Sequence, residues 1–490
     1  MHAQASFSEP QGVRDVLAFV ALKTDRERTA HLLRRFGLGA SQAEVDYYAE
    51  GGWERAVDRL LNYEAVPERV ALDVEAFAND KGQVRIQSVQ AWWATKLLTT
   101  RRPLLEKMTL FWHDHFATSA QKVTQPLLMH EQNETFRKHA TGSFFDLLRE
   151  ASKDPAMLIW LDNQFNVKGK PNENFAREVM ELFTLGIGHY TEKDIQEAAR
   201  AFTGWTFRGA DREKQAKYRK PEFLFDPKRH DDGMKEVLGS RGPFDGDDVV
   251  NLLADDPQTA RNIALKIWEW FAYAKPEPDL LDRLTGAFRK EMNIGDLLRE
   301  VMTSPEFYSE RAERTVYKNP VDFVVPTLRQ LGVGEMVTLD TKEDGTLAKR
   351  PQVAAGVLLT TKAMGMDLFF PPDVSGWEGG AAWISSATMI ERVRWADRLF
   401  GVAAVGGKPG KAQPTLSYPA YGLLAADPTP PGIASTLVSV FDAPIPASKM
   451  PALVAAAERA TAGRLTTGNA NQAAAAVSRL IFGSPEFQFA

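Results

Sequence analysis

The sequence predicts a mainly α protein: a large irregular body of many helices with one small loop or β-hairpin insertion. Three observations predict it. Apolar residues recur at helical spacing through most of the 490-residue chain. Helix punctuation falls where that spacing begins and ends. Gly37, Gly186 and Gly204 close periodic runs, Ser41 with Glu44 opens one as a capping box, and Pro103 sits at a first turn. Period-2 alternation shows in one short stretch, Glu222-Phe223-Leu224-Phe225.

Taken in order, the spacing predicts helices over residues 26–36, 41–48, 53–63, 86–98 and 103–117. It continues with 131–140, 144–151, 172–185 and 192–203. Residues 205–239 are rich in Lys, Arg, Pro, Asp and aromatics and read as the insertion. Helices resume over 247–253, 257–272, 279–291, 294–302, 319–331 and 351–365. A short hairpin is expected within 336–348, and a Gly/Pro-rich surface loop over 406–431. Two Ala-rich helices are expected over 450–480. These divide the chain into an N-terminal helical region (1–204), the insertion (205–245), a second helical region (246–400) and a closing region (401–490). One internal echo appears. Ser304-Pro305-Glu306-Phe307 and Ser484-Pro485-Glu486-Phe487 each follow a helical run. A proline-started turn with a docked phenylalanine explains both, and two copies do not make a solenoid.

Composition limits the function classes. The formal net charge of -5, from 59 Lys and Arg against 64 Asp and Glu, argues against a nucleic-acid partner. The absence of cysteine removes disulfides, thiolate nucleophiles and Cys-ligated metals. No window approaches eighteen uncharged apolar residues, so no membrane span is expected. Val16 to Leu22 is at the short limit for a signal core and lacks a small-residue cleavage site after it. The expectation is a soluble cytoplasmic protein, or an exported one if a signal has been removed.

The chemistry-bearing residues concentrate between Asp154 and Trp205. On an ideal helix over 172–185, Asn174, Arg177, Glu178 and Glu181 fall within roughly a 100° arc. Phe175, Val179, Leu182 and Phe183 take the adjacent apolar face. Two readings stand: a solvated face with an Arg177–Glu181 pair, or a polar cleft. In the cleft, Glu178 or Glu181 is a general base or metal ligand, and Arg177 clamps an anion. The preceding Asp162, Asn163, Asn166, Asn172 and Glu173 offer hard oxygen ligands or simply satisfy a turn.

Phe111-Trp112-His113-Asp114-His115-Phe116 holds a second candidate. Residues two apart on a helix diverge by about 200°, which separates the rings. His115 then belongs to the apolar face and His113 to a polar one. If the helix ends at Trp112, the pair could converge on a metal. His230 sits on a polar loop, where it is either solvated or placed over a site. His130, Asn133 and Arg137 share helical spacing, as a solvated face or a polar set. Pro371 to Gly380 is a rigid turn in which Trp377 anchors a structural loop, walls a pocket or stacks a sugar ring. The chain has no G-x-S-x-G elbow, Walker loop, H-E-x-x-H or convincing dinucleotide fingerprint.

The motifs in this order resemble a large bacterial family of unknown function, the one numbered eighteen hundred. The matching residues are His31 to Gly39, Phe111 to Phe116, Pro171 to Glu178 through Thr203-Gly204-Trp205, His230 with Lys235 and Leu238-Gly239, and Pro371 through Ile384. They cover nearly the whole chain. The resemblance implies a mainly helical fold, frequent export signals and a sulfatase-like neighbour as a partner. It transfers no reaction. Two functions are therefore expected. The first is a metal-assisted hydrolase acting on a polar polymer or its fragments. In it Glu178, Glu181, Arg177, His113 and His230 are catalytic, and Trp377, Asn174 and Arg137 contact substrate. A divalent metal would be held by His113, His230 and Glu178. The second is a non-catalytic binding or assembly factor working with a partner enzyme.

Overall fold

The computed structural model describes residues 22, 24–209, 221–343, 345–402 and 416–490. Over these the chain is mainly helical, with 22 α-helices and two small two-stranded antiparallel sheets. Most of the expected helices form where the punctuation placed them. Asp25–Phe36 begins at a Thr24/Glu27 capping box, and Gln42–Ala49 at the Ser41/Glu44 box. Pro103–His115 carries its proline in the first turn. The insertion pairs Trp205–Arg208 with Glu222–Phe225, so that Trp205 faces Phe225 across the ladder. A second hairpin pairs Lys235–Val237 with Ser240–Gly242. The residues read as a signal core lie, apart from Leu22, outside the described residues, as do 406–415 of the expected surface loop.

Three elements depart from the expectation. Ser386–Phe400 is a helix that the apolar spacing did not single out. Its Arg392, Asp397 and Arg398 are buried, and these charges break the stripe a surface helix would show. Pro430–Val440, which begins in the last two residues of the stretch read as a loop, is also helical. Residues 336–348 hold one isolated bridge, Thr341 with Leu347, in place of a hairpin.

The apolar side chains gather into two cores. One runs from Leu32 to Ala312 and collects the helices of the first two-thirds of the chain. The other takes Val74 to Leu98 and most of Val321 to Phe487. The Ser-Pro-Glu-Phe echo appears once in each. Both copies form a 3-10 turn, with Phe307 and Phe487 buried. In both, the serine hydroxyl donates to the carbonyl three residues back, Ser304 to Val301 at 2.9 Å and Ser484 to Ile481 at 2.8 Å.

Candidate functional site

The central motif is not one ideal helix. Glu173–Glu178 is α-helical, and Val179–Thr184 widens into a π-helix. The wider turn moves Glu181 away from Arg177 and ends the segment on a row of carbonyls. Four consecutive ones are taken by side chains. Leu182 O accepts from Lys266 Nζ at 2.7 Å, and Phe183 O from His115 Nε2 at 3.2 Å. Thr184 O accepts from Asn262 Nδ2 at 2.6 Å, and Leu185 O from Gln258 Nε2 at 3.1 Å. Gln258, Asn262 and Lys266 recur every fourth residue on the Pro257–Phe271 helix, so one polar stripe caps the π-helix.

Beside this junction opens a cavity of about 420 Å³, within the ~300–1,000 Å³ range of small-molecule sites. Phe111, Trp270, Tyr317, Trp377 and Trp383 supply aromatic walls; Asp114, His115, Lys266, Glu269, Asn319 and Asp322 supply polar groups. Asp114 ends the Pro103–His115 helix and is held by the 373–377 turn. The backbone N–H of Trp377 donates to Asp114 Oδ1 at 2.8 Å. Gly376 makes that approach possible. Its φ is +91°, and a Cβ there would lie 2.7 Å from the Asp114 carbonyl oxygen.

Burial tunes three of the polar groups. It pushes the Asp114 carboxyl up to about 7, against the opposing pull of the Trp377 N–H and the Lys266 ammonium. It pushes Lys266 down to about 8, while Asp114 opposes the shift. His115 is held well below its ordinary value by burial and by the Lys266 cation, so its ring is neutral. A carbonyl only accepts, so Nε2 carries the proton toward Phe183 O. Nδ1 is then free to accept from Lys266 Nζ at 3.4 Å. Two groups of opposite charge type thus face one aromatic cavity, both close to changing protonation near neutral pH.

The residues singled out from the sequence are distributed otherwise. His113 is fully buried among Trp93, Phe136, Phe369 and Trp377, and both of its ring nitrogens lack a partner. Burial, then the Arg137 cation, pushes its pKa down to about 3. His113 is therefore a core residue rather than one on a polar face. His230 lies against Phe225, with Nδ1 2.9 Å from Thr203 O, where it closes the turn at Gly204. Glu178 is pushed up by burial, then by Glu181 and Asp373, and stands near the cavity-lining turn without lining the cavity. Among the described residues, no group of three or more His, Asp or Glu side chains is placed to hold a metal ion. The His113–His230–Glu178 set is thus not gathered into one coordination sphere.

Arg177 does not pair with Glu181. It forms a bidentate pair with Glu192 at 2.9 and 2.7 Å and reaches Glu173 at 3.5 Å. Glu181 accepts from the Tyr190 hydroxyl. Asn174 is exposed, next to the Asn172 cap. Arg137 is buried in a structural network. It donates to both oxygens of Glu106 at 2.7 and 2.9 Å, and its guanidinium lies 5.1 Å from the Trp92 ring. Burial works against the Glu106 charge, but Arg137 more than offsets it and holds Glu106 below the usual carboxylate range. Of the residues expected to be catalytic, substrate-binding or metal-holding in the hydrolase reading, Trp377 is the one that lines the cavity.

Sequence reasoning passed over Asp114 and Lys266. Asp114 lay inside the His-Asp-His run, where the histidines drew the chemistry. The signal for Lys266 was present: Gln258, Asn262 and Lys266 stand four residues apart beside buried Ile263 and Ile267.

Fold and cavity define a helical protein with an aromatic-walled pocket that holds an acid and an amine. The family model described as protein of unknown function (DUF1800) matches residues 31–489, and the chain belongs to that family. No curated protein and no solved structure matches it.

Proposed function

We propose that this chain is an acid–base hydrolase whose substrate is a ring-bearing fragment of a polar polymer, such as a short oligosaccharide. The observation that carries this reading is the meeting of Asp114 and Lys266 in one cavity walled by indoles. Sugar rings present apolar faces that stack on indole, and Trp270, Trp377 and Trp383 offer three. Asp114, ionised, takes a proton from water. Lys266, protonated, gives one to the leaving group. Each group has its pKa close to the pH at which it must act. The reading draws on these two residues and not on the dispersed metal set.

A second reading keeps the cavity but drops the reaction. Lys266 and His115 both donate to carbonyls of the π-helix, as purely structural residues would. In that case the pocket belongs to a binding or assembly factor serving a partner enzyme, for which the family resemblance suggests a sulfatase-like protein.

Titration of the full chain with chito-, cello- and xylo-oligosaccharides, read by tryptophan fluorescence and by release of reducing ends, separates the two. Hydrolysis predicts saturable quenching and turnover with pH limbs near 7 and 8. Asp114→Asn should then lower turnover about 100-fold or more while binding persists. Quenching without new reducing ends favours the binding factor. No response to any of these sugars overturns the choice of substrate.

A further inference from the structure

On the other side of Asp322 from the cavity lies a buried excess of positive charge. Arg34, Arg314 and Lys318 face the carboxylate of Asp442, and Arg392 lies beside Lys318, whose ammonium is held by burial well below its ordinary pKa. Arg34 Nη1 donates to Asp442 Oδ2 at 2.8 Å and Arg314 Nη2 to Oδ1 at 3.0 Å, so both of its oxygens are engaged. Arg392 is spent on Gln488 and on the Lys318 carbonyl. Donors are left over. Arg34 Nε, Arg314 Nη1 and Arg392 Nε are buried without partners. Lys318 is 8% exposed, and its ammonium sits 3.6 Å from the centre of the Phe487 ring. Among the described residues no carboxylate or carbonyl accepts from it.

A small, partly open space of about 20 Å³ lies at this point, lined by Arg34, Lys318, Asp322, Asp442 and Phe487 together with Ala490 and Gln330, whose buried amide oxygen has no partner. A water needs roughly 10–15 Å³, so the space suits one water-sized guest. Its two carboxylates do not oppose a negative guest as free charges would. Asp322 accepts from Lys107 on one oxygen and from Asn319 Nδ2, at 2.8 Å, on the other. A water could satisfy a donor there but would leave the charge excess untouched. Buried charges are costly unless paired.

We propose that this space is a binding site for a small inorganic anion of halide size, held by the Lys318 ammonium and the free Arg34 Nε–H. The guest joins three distant parts of the chain: the Asp25–Phe36 helix, the 314–318 strap and the turn at Asp442. Anion binding therefore ties the two ends of the fold together.

Melting of the full chain is measured in sodium chloride, sodium bromide and sodium gluconate at matched ionic strength. The site predicts a saturable rise in Tm with either halide, about 2 °C or more, and none with gluconate, which is too large to enter. Lys318→Met, checked for native circular dichroism, should lose the difference between halide and gluconate. A bromide-soaked crystal of the unaltered chain should show anomalous density between Lys318 and Arg34, and this measurement needs no variant. Equal melting in all three salts, an equal halide effect in Lys318→Met, or a cavity without bromide density overturns the proposal.

Discussion

Asp114 stands between two histidines that look more reactive on paper. Its neighbours are disarmed by their surroundings: His113 by four aromatic rings, His115 by its bond to Phe183. Asp114 alone of the three keeps a proton to trade near neutral pH. That property has a stability signature. Its folded pKa is raised from 3.8 to about 7, so the folded chain holds this proton more tightly than the unfolded chain does. The stabilisation is fully present below pH 3.8 and is lost as pH rises through about 7. Asp114→Asn keeps an oxygen for the Trp377 N–H but has no charge to bury. The variant should therefore lose that decline and be more stable than the parent at pH 8. The full shift is worth about 4 kcal/mol at ~1.4 kcal/mol per unit. The Lys266 ammonium and water in the cavity screen part of it, so about 1–2 kcal/mol is expected. Urea unfolding at pH 4.5 and pH 8 measures the difference, and a variant with an unchanged slope between them would show that the carboxyl is well solvated.

At the scale of elements, the π-helix organises the site. The last four carbonyls of a helix have no partner within it, and here all four, Leu182 to Leu185, are met by neighbouring side chains. π-turns inside helices are found disproportionately at functional sites. Lys266 and His115 are aimed at the cavity because they are also tethered to this end. Asn262 tests the arrangement without touching the cavity. Asn262→Ala removes the 2.6 Å bond to Thr184 O and leaves the carbonyl of a buried residue unmet. A loss of about 1–3 kcal/mol is expected, with faster amide exchange confined to 179–186. Unchanged exchange there would mean that the π-turn holds without its caps. Capping boxes and glycine stops are local signals, and they placed Asp25–Phe36, Gln42–Ala49 and Glu192–Ala201 to within a few residues. The π-turn lacks such a signal, because apart from the Thr184 hydroxyl on Val179 O its side-chain donors come from distant parts of the chain, chiefly a helix some eighty residues later. For the same reason the expected stripe of Asn174, Arg177, Glu178 and Glu181 is broken up, with Arg177 turned to Glu192 and Glu181 to Tyr190. Burial hid Ser386–Phe400 in the opposite way, since Asp397 and Arg398 are ion-paired inside the fold and Arg392 is hydrogen-bonded there to Gln488 and the Lys318 carbonyl.

At the scale of the molecule, the cavity occupies the seam between the two cores. Phe111 belongs to the first core, and Leu182 and Trp270 pack on it. Met366, Trp377 and Trp383 belong to the second. The 373–377 turn crosses the seam, with Val374 packed on the first core and Trp377 in the second. It is seated by one backbone bond to Asp114 and by the missing side chain of Gly376. Gly376→Ala should therefore act on the seam as a whole. At φ +91° alanine is strained by about 1–3 kcal/mol, and its methyl would push against the Asp114 carbonyl. The turn must lift, taking Trp377 with it. The expected outcome is a Tm a few degrees lower and at least a tenfold loss in affinity for whichever oligosaccharide the parent binds. Gly379→Ala is the matched control. Gly379 also lines the cavity, but its φ is -89° and its Cβ would meet nothing within 4 Å. If the two variants melt and bind alike, the seating of the turn on Asp114 does not hold the cavity's walls in register. If Gly376→Ala alone loses both, one glycine sets how the two cores meet around the ligand.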